Sequence, residues 1–157
     1  MIDLSQRYVL AVGSNRGDRR AHFAAAAQRL EATGQIRITA RSAVVEGPAV
    51  GGPTGQGPYL NAVWLLESSL GPHQLLDVIL AVETAGGRTR TVPWGPRTID
   101  LDLILRSDGL RVATPVLSLP HPRWRERRFV ADPIRELAQD HAWLRAWHAD
   151  SGDSRRR

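Results

Sequence analysis

The chain contains no cysteine and no lysine. The first absence excludes disulfides, thiol nucleophiles and cysteine-based zinc sites, and it fits a reducing compartment. The second excludes a Schiff-base lysine and the lysine-bearing phosphate loop of the Gly-rich NTPase kind. Aromatic residues are sparse, at 6%. No apolar run approaches the ~20 residues needed to span a bilayer. Nor does a long apolar stretch follow Met1-Ile2-Asp3-Leu4-Ser5-Gln6-Arg7, as a signal peptide requires. The expectation is a soluble, cytoplasmic protein with no membrane partner.

A length of 157 residues suits one domain, and 42% hydrophobic with 24% charged residues is ordinary globular composition. The domain is expected over residues 1–149, with 150–157 a loose tail whose terminal arginines are solvated. The 21 basic residues are all arginine and face 16 acids, for a net charge of +5. A GC-rich genome alone favours arginine codons. Whatever the origin, any phosphate this chain binds is bound by guanidinium groups, whose planar forks hold two oxygens at a time.

Arg7 to Gly13 reads as a buried strand. Ser14 to Asp18 turns the chain, with Asp18 as helix N-cap. The Ala-rich stretch Arg19 to Ala32 is a helix with Phe23, Ala27 and Leu30 on one side, ended by Gly34. Ile36 to Glu46 alternates as a second strand. The Gly- and Pro-dense segment Gly47 to Pro58 is a long surface loop. Tyr59 to Glu67 is a strong strand. Pro72 opens a second helix striped by Leu75, Leu76, Ile79, Leu80 and Val82, ending at Gly86-Gly87. After a polar loop, Arg88 to Pro96, Thr98 to Leu105 is a strand. Ser107-Asp108-Gly109 turns it into a hairpin with Leu110 to Ala113. Pro120-His121-Pro122 is a rigid elbow, followed by short helices near Trp124 and over Pro133 to Ala138. This order predicts an α+β fold: a ferredoxin-like antiparallel sheet with both helices on one face, plus a C-terminal hairpin and short helices.

The sharpest feature is Trp94-Gly95-Pro96-Arg97-Thr98-Ile99-Asp100-Leu101-Asp102-Leu103-Ile104. Alternation along a strand sends Ile99, Leu101 and Leu103 to the core. Asp100 and Asp102 share the other face, roughly 6.5–7 Å apart. Spacing alone leaves two readings: solvated acids, or a pair holding a cation such as Mg²⁺, which takes one or two carboxylates plus phosphates and water. Arg97 and the arginines of the preceding loop, Arg88 and Arg90, favour a metal–phosphate site. Glu83 borders the apolar stripe, so it either meets a neighbouring arginine or contacts ligand. His121 is held between prolines and followed by Arg123, Arg125, Arg127 and Arg128, which suits phosphate. Tyr59 and Asn61 share a strand face and, with Phe129, could stack on and hydrogen-bond a flat heterocycle; core packing is the other reading for the aromatics. Gly13 to Asp18 lacks the spacing of a phosphate cradle and reads as a tight strand-to-helix turn.

Gly13-Ser14-Asn15, Tyr59-Leu60-Asn61-Ala62, Gly87-Arg88 with Arg90, the Trp94 to Asp102 run, and Leu119-Pro120-His121-Pro122 through Arg127 and Phe129 to Pro133 together resemble the 6-hydroxymethyl-7,8-dihydropterin pyrophosphokinase family of folate biosynthesis. The resemblance runs from near residue 8 to near residue 140. It implies a ferredoxin-like fold and transfer of pyrophosphate from ATP to the pterin hydroxymethyl oxygen, leaving AMP. It also implies that Asp100 and Asp102 hold two Mg²⁺ ions and that Arg88 and Arg97 stabilise the moving phosphoryl charge. Glu83, Arg90, His121 and Arg127 would contact ATP. Tyr59 and Phe129 would sandwich the pterin, Asn61 would bond its edge, and Trp94 would pack over the closed site.

The chain departs from the family pattern at Thr91, where a basic residue is usual, and at Leu80, where a polar one is usual. In the Glu46 to Gly52 stretch, Val50 is the candidate apolar wall. Two other readings are an RNA-binding module on the same sheet and a metal-dependent nucleotidyltransferase. Against RNA, an acidic pair on the binding face repels phosphate unless metal is present. The substrates expected are therefore ATP and the pterin, bound by a monomer, with no nucleic acid.

Overall fold

The computed structural model describes residues 6–48, 57–87 and 98–153, the last six of them as backbone only. The elements run β1 (Gln6–Ser14), α1 (Arg19–Glu31), β2 (Ile36–Arg41), β3 (Val45–Gly47), β4 (Tyr59–Ser68), α2 (Pro72–Ala85), β5 (Asp100–Arg106), β6 (Val112–Ala113), β7 (Ser118–Leu119), α3 (Arg128–Ala138) and α4 (Ala142–Asp153). The main sheet has the order β2-β4-β1-β5, with β3 also paired to β4. Every pairing within it is antiparallel. Two strand–helix–strand units thus interleave, as in a ferredoxin-like sheet.

Alternation along β1 divides the molecule into two cores. Tyr8, Leu10 and Val12 point to the face carrying α1 and α2, where Phe23, Leu30, Leu75 and Ile79 are buried with them. Phe23 meets Trp64 edge-on, with ring centroids 6.1 Å apart. The Tyr8 hydroxyl donates to the Leu70 carbonyl at 2.7 Å, which satisfies its one polar atom inside this core. Val9 points to the opposite face. There it packs with Val63, Leu65, Ile104 and Leu105 under Val130, Ile134 and Leu137 of α3 and Leu144 of α4.

Local chemistry accounts for the ends of the helices. Asp18 caps α1 by accepting the Ala21 N–H at 3.1 Å. Pro72 opens α2, where its missing N–H costs nothing. At the far end of α2, Gly86 is required by close packing: a Cβ there would lie 2.9 Å from Ile99 Cγ2. Gly87 follows at φ +89°, a left-handed conformation that favours glycine.

Several expected elements are placed differently. The strand read over Ile36 to Glu46 divides into β2 and β3. Between them the Ser42 hydroxyl accepts the Val63 N–H at 2.8 Å, in place of a ladder carbonyl. The hairpin read between β5 and Leu110–Ala113 does not form. Arg106 clasps Asp108 through two bonds of 2.9 and 2.8 Å, Asp108 accepts the Leu110 N–H, and the chain swings away. β6 pairs instead with β7, closed by Thr114–Leu117 bonds, and Leu117 and Leu119 enter the first core. The stretch around Trp124 is a series of turns, while α3 begins at Arg128, five residues before Pro133. α4 continues through Asp153. Among the described residues, no helix is long and apolar enough to cross a membrane.

If α3 and α4 are part of one cooperative core, Ile134→Ala should cost about 2–5 kcal/mol. Urea unfolding followed at far-ultraviolet wavelengths and by tryptophan fluorescence should shift to one common, lower midpoint. Loss of the fluorescence change alone, with the sheet unaffected, would mean that the two helices are a detachable layer.

Candidate active site

The second face of the sheet is apolar at one end and polar at the other. Its apolar half lies under α3 and α4. Towards the ends where β1 finishes and β4 and β5 begin, β1 carries only Ala11 and Gly13. Gly13 is paired with Asn61 of β4 on one side and Asp100 of β5 on the other. A Cβ at Gly13 would come within 3.2 Å of Asn61 Oδ1 and 3.4 Å of Tyr59 Cδ1. The missing side chain is therefore what lets Asn61 and Tyr59 lie over the strand. In the sequence Gly13 reads as the end of the strand and the start of the turn; the register identifies it as floor.

The result is a cavity of about 650 Å³, well within the range of small-molecule sites. It brings together Tyr59, Asn61, Glu83, Asp100, Asp102, His121, Arg127 and Phe129. The apolar stripe of α2 divides here. Leu75, Ile79 and Val82 are buried in the core, whereas Leu76 and Leu80 line the cavity. Leu80, a departure from the family pattern, thus forms an apolar wall. Val50, Arg88, Arg90, Trp94 and Arg97 lie outside the described residues. The chain leaves the description at Pro48 and Gly87 and returns at Gly57 and Thr98. Pro48 itself lines the cavity.

Asp100 and Asp102 are half-exposed on one face of β5, and Leu101 and Leu103 between and beyond them are buried, as alternation requires. Asp102 Oδ2 lies 3.8 Å from His121 Nε2 and 3.9 Å from Arg127 Nη1. Both separations are too long for hydrogen bonds, and that to Arg127 is close for opposite charges.

His121 is set by backbone rather than by side chains. β5 bulges between the residues facing Val9 and Leu10, which leaves the Ile104 carbonyl to accept the His121 N–H at 2.6 Å. The ring Nδ1 accepts the Arg123 N–H at 3.1 Å. The neutral ring then carries its proton on Nε2, directed towards Asp102. Burial, the largest influence, pushes this imidazole below its ordinary 6.5; Asp102 pulls it upward, and Arg127 and Arg123 push it down again.

Glu83 was expected to meet an arginine or a ligand. It is 1% exposed, and its Oε2 accepts the Leu101 N–H at 2.8 Å. A backbone amide of β5 takes that oxygen. Arg127 stands at the N-cap position of α3, its side chain making no capping bond, and Phe129 sits in the first turn, half-buried on the cavity side.

The depressed His121 value has a definite sign. Below about pH 6.5 the unfolded chain takes up a proton at this position before the folded chain does, so stability falls as the pH drops towards the folded value. In metal-free protein kept in chelator, the urea midpoint should fall from about pH 7.5 to about pH 5. His121→Gln should remove part of that fall. Identical pH dependence in the two proteins would show that His121 ionises as freely folded as unfolded.

The arrangement is a cavity with a carboxylate pair, an imidazole and a guanidinium on one side and half-buried aromatics with an amide on the other. Comparison with known proteins agrees with the motifs. The family model described as 7,8-dihydro-6-hydroxymethylpterin-pyrophosphokinase matches residues 9–139. The 2-amino-4-hydroxy-6-hydroxymethyldihydropteridine pyrophosphokinase of Methylorubrum extorquens is 46% identical over 134 residues, covering 85% of this chain and 84% of that protein. The Bacillus subtilis protein of the same name is 36% identical over 154 residues, covering 91% of each. A mitochondrial folate synthesis bifunctional protein of Pisum sativum is 37% identical over 153 residues, which are 95% of this chain but 29% of that one. With its motifs, its sheet order and the extent of these matches in accord, the chain belongs to the 7,8-dihydro-6-hydroxymethylpterin-pyrophosphokinase family.

Proposed function

We propose that this protein transfers pyrophosphate from ATP to the hydroxymethyl oxygen of 6-hydroxymethyl-7,8-dihydropterin, giving AMP and the pterin diphosphate for folate biosynthesis. The observation that carries this reading is the two-sided cavity, with Asp100 and Asp102 across Gly13 from Asn61 and Tyr59. On this reading the substrates are small molecules, the working unit is a single chain, and a cysteine-free protein suits the cytoplasm.

Among the described residues, no group of three His, Cys, Asp or Glu side chains is placed to hold a metal ion. Two carboxylates still fit Mg²⁺, which completes its shell with phosphate oxygens and water rather than with a full protein cage. Asp100 and Asp102 would hold two such ions. When bound, Mg²⁺ neutralises polyphosphate charge and orients the transferring group.

The protein's own groups do the rest. Tyr59 and Phe129 offer ring faces to the pterin, and Asn61 offers both a donor and an acceptor to its edge. Val50 and Trp94 would add apolar contact from the two loops. His121, through Nε2, and Arg127 would bind ATP oxygens, with Arg90 joining them. Arg88 and Arg97 flank the segment before β5 and would stabilise charge on the moving phosphoryl groups. Phosphoryl transfer passes through a loose transition state, so positioning and charge matter more than a strong base. A nucleotidyltransferase would also use paired aspartates, but it releases pyrophosphate. Chromatography of a reaction containing ATP, Mg²⁺ and the pterin should show AMP; pyrophosphate or ADP as the product would refute the assignment.

Asp100→Asn and Asp102→Asn should each lower turnover by more than about a hundredfold while thermal unfolding changes little, because both side chains lie on a polar face. Near-normal turnover at saturating ATP and Mg²⁺ would remove the carboxylates from the metal role.

Phe129→Ala should weaken pterin binding by about tenfold, since a stacked aromatic contributes about 0.5–1.5 kcal/mol beyond burial. Gly13→Ala should act in the same direction by crowding Asn61. Calorimetric titration of pterin and of a non-hydrolysable ATP analogue separates the two ligands. Loss of nucleotide affinity with pterin affinity intact would place Phe129 in the other subsite.

A further inference from the structure

We infer that Glu83 is a positioning residue for the aspartate pair, acting through the backbone of β5; this rests on the reading of Asp100 and Asp102 given above. Among the described residues, β5 ends the strand path and has β1 as its one strand partner. Successive amides of a strand point to opposite edges. The Leu101 N–H, between the two aspartates, points to the edge that no described strand covers. Glu83 Oε2 takes it at 2.8 Å. The bond lies in a buried setting, Glu83 being 1% exposed, where a backbone N–H left without an acceptor is costly.

A second contact fixes the same stretch. Ile99, next to Asp100, is 1% exposed, and its Cγ2 would lie 2.9 Å from a Cβ at Gly86. The C-terminal end of α2 therefore holds the start of β5 from two sides: Gly86, just past the helix, seats Ile99, just before the strand, by close packing, and Glu83 holds Leu101 by hydrogen bonding. Because side chains alternate, any twist of this three-residue stretch moves Asp100 and Asp102 relative to each other. Two carboxylates that share cations tolerate little such movement. Partners that orient metal ligands are typically worth roughly 10–100-fold in metal affinity.

This role differs from direct contact with nucleotide or metal, and the substituents distinguish them. Glutamine keeps an acceptor for Leu101 and loses the charge. Leucine loses both at similar volume. Gly86→Ala disturbs the same stretch without touching Glu83. The measurements are Mn²⁺ binding to the full chain without nucleotide, read as the electron paramagnetic resonance of free Mn²⁺, and hydrogen exchange of the Leu101 amide by NMR.

Glu83→Leu should weaken Mn²⁺ binding by about tenfold or more and speed Leu101 exchange. Gly86→Ala should weaken binding in the same direction. Glu83→Gln should stay within about threefold of the parent in binding and keep Leu101 protected. Glu83→Gln losing as much Mn²⁺ affinity as Glu83→Leu would overturn the inference, since the carboxylate would then act by its charge. So would unchanged binding in both Glu83→Leu and Gly86→Ala. Should Glu83→Leu fail to fold, the glutamine and Gly86 variants carry the same decision. Asp100→Asn and Asp102→Asn serve as the reference. If they bind Mn²⁺ like the parent, the metal reading fails and takes this inference with it; if they lose binding while Glu83→Leu and Gly86→Ala do not, only the role of Glu83 falls.

Discussion

The pairing of β1 between β4 and β5 is the constraint on which the site depends. One register sets Gly13 opposite both Asn61 and Asp100, and Ala11 opposite both Val63 and Asp102. A shift of one residue would turn the aspartates into the core and Leu101 and Leu103 outward. The register is therefore enforced by the same apolar residues that build the core under α1 and α2. Binding geometry and folding stability are coupled through the backbone and cannot be adjusted separately.

The small residues of β1 convert that register into space. A sheet whose central strand carried large side chains on both faces would be filled there. Ala11 and Gly13 leave the open half of the second face, while α3 and α4 close the half built from Val9, Leu65 and Leu105. The bulge in β5 serves both halves: it turns Ile104 and Leu105 together into the second core and offers the Ile104 carbonyl to His121. One irregularity thus supports packing on one side and orients a cavity imidazole on the other.

Periodicity made much of this legible. The alternation of Ile99, Leu101 and Leu103 against Asp100 and Asp102 was plain from spacing, and β5 follows it. The turn at Asp18, the start of α2 at Pro72 and its end at Gly86-Gly87 were legible because capping and glycine chemistry are local. What was not legible depends on distant partners. Gly13 looked like the end of a strand and the start of a turn because its role lies in what it allows Asn61 and Tyr59 to do. Leu110 to Ala113 looked like the return strand of a hairpin, but the Arg106–Asp108 clasp redirects the chain before pairing can begin. The bond that Glu83 accepts from Leu101 was not legible, because that amide lies 18 positions away. Family resemblance narrowed the chemistry where spacing alone left the aspartates and aromatics open to two readings each.

The central claim is spatial: the metal pair and the pterin walls face each other across Gly13. It is tested most directly by NMR of the pterin bound together with Mn²⁺ and an ATP analogue whose α,β bridge cannot be cleaved. Relaxation by Mn²⁺ falls with the sixth power of distance. The hydroxymethyl protons of the pterin, and the Gly13 and Asn61 amides, should broaden strongly, and Asp102→Asn should restore narrow lines. Narrow pterin lines in the fully assembled complex of the unmodified protein would contradict the claim, because the reacting oxygen would then lie away from the carboxylate pair.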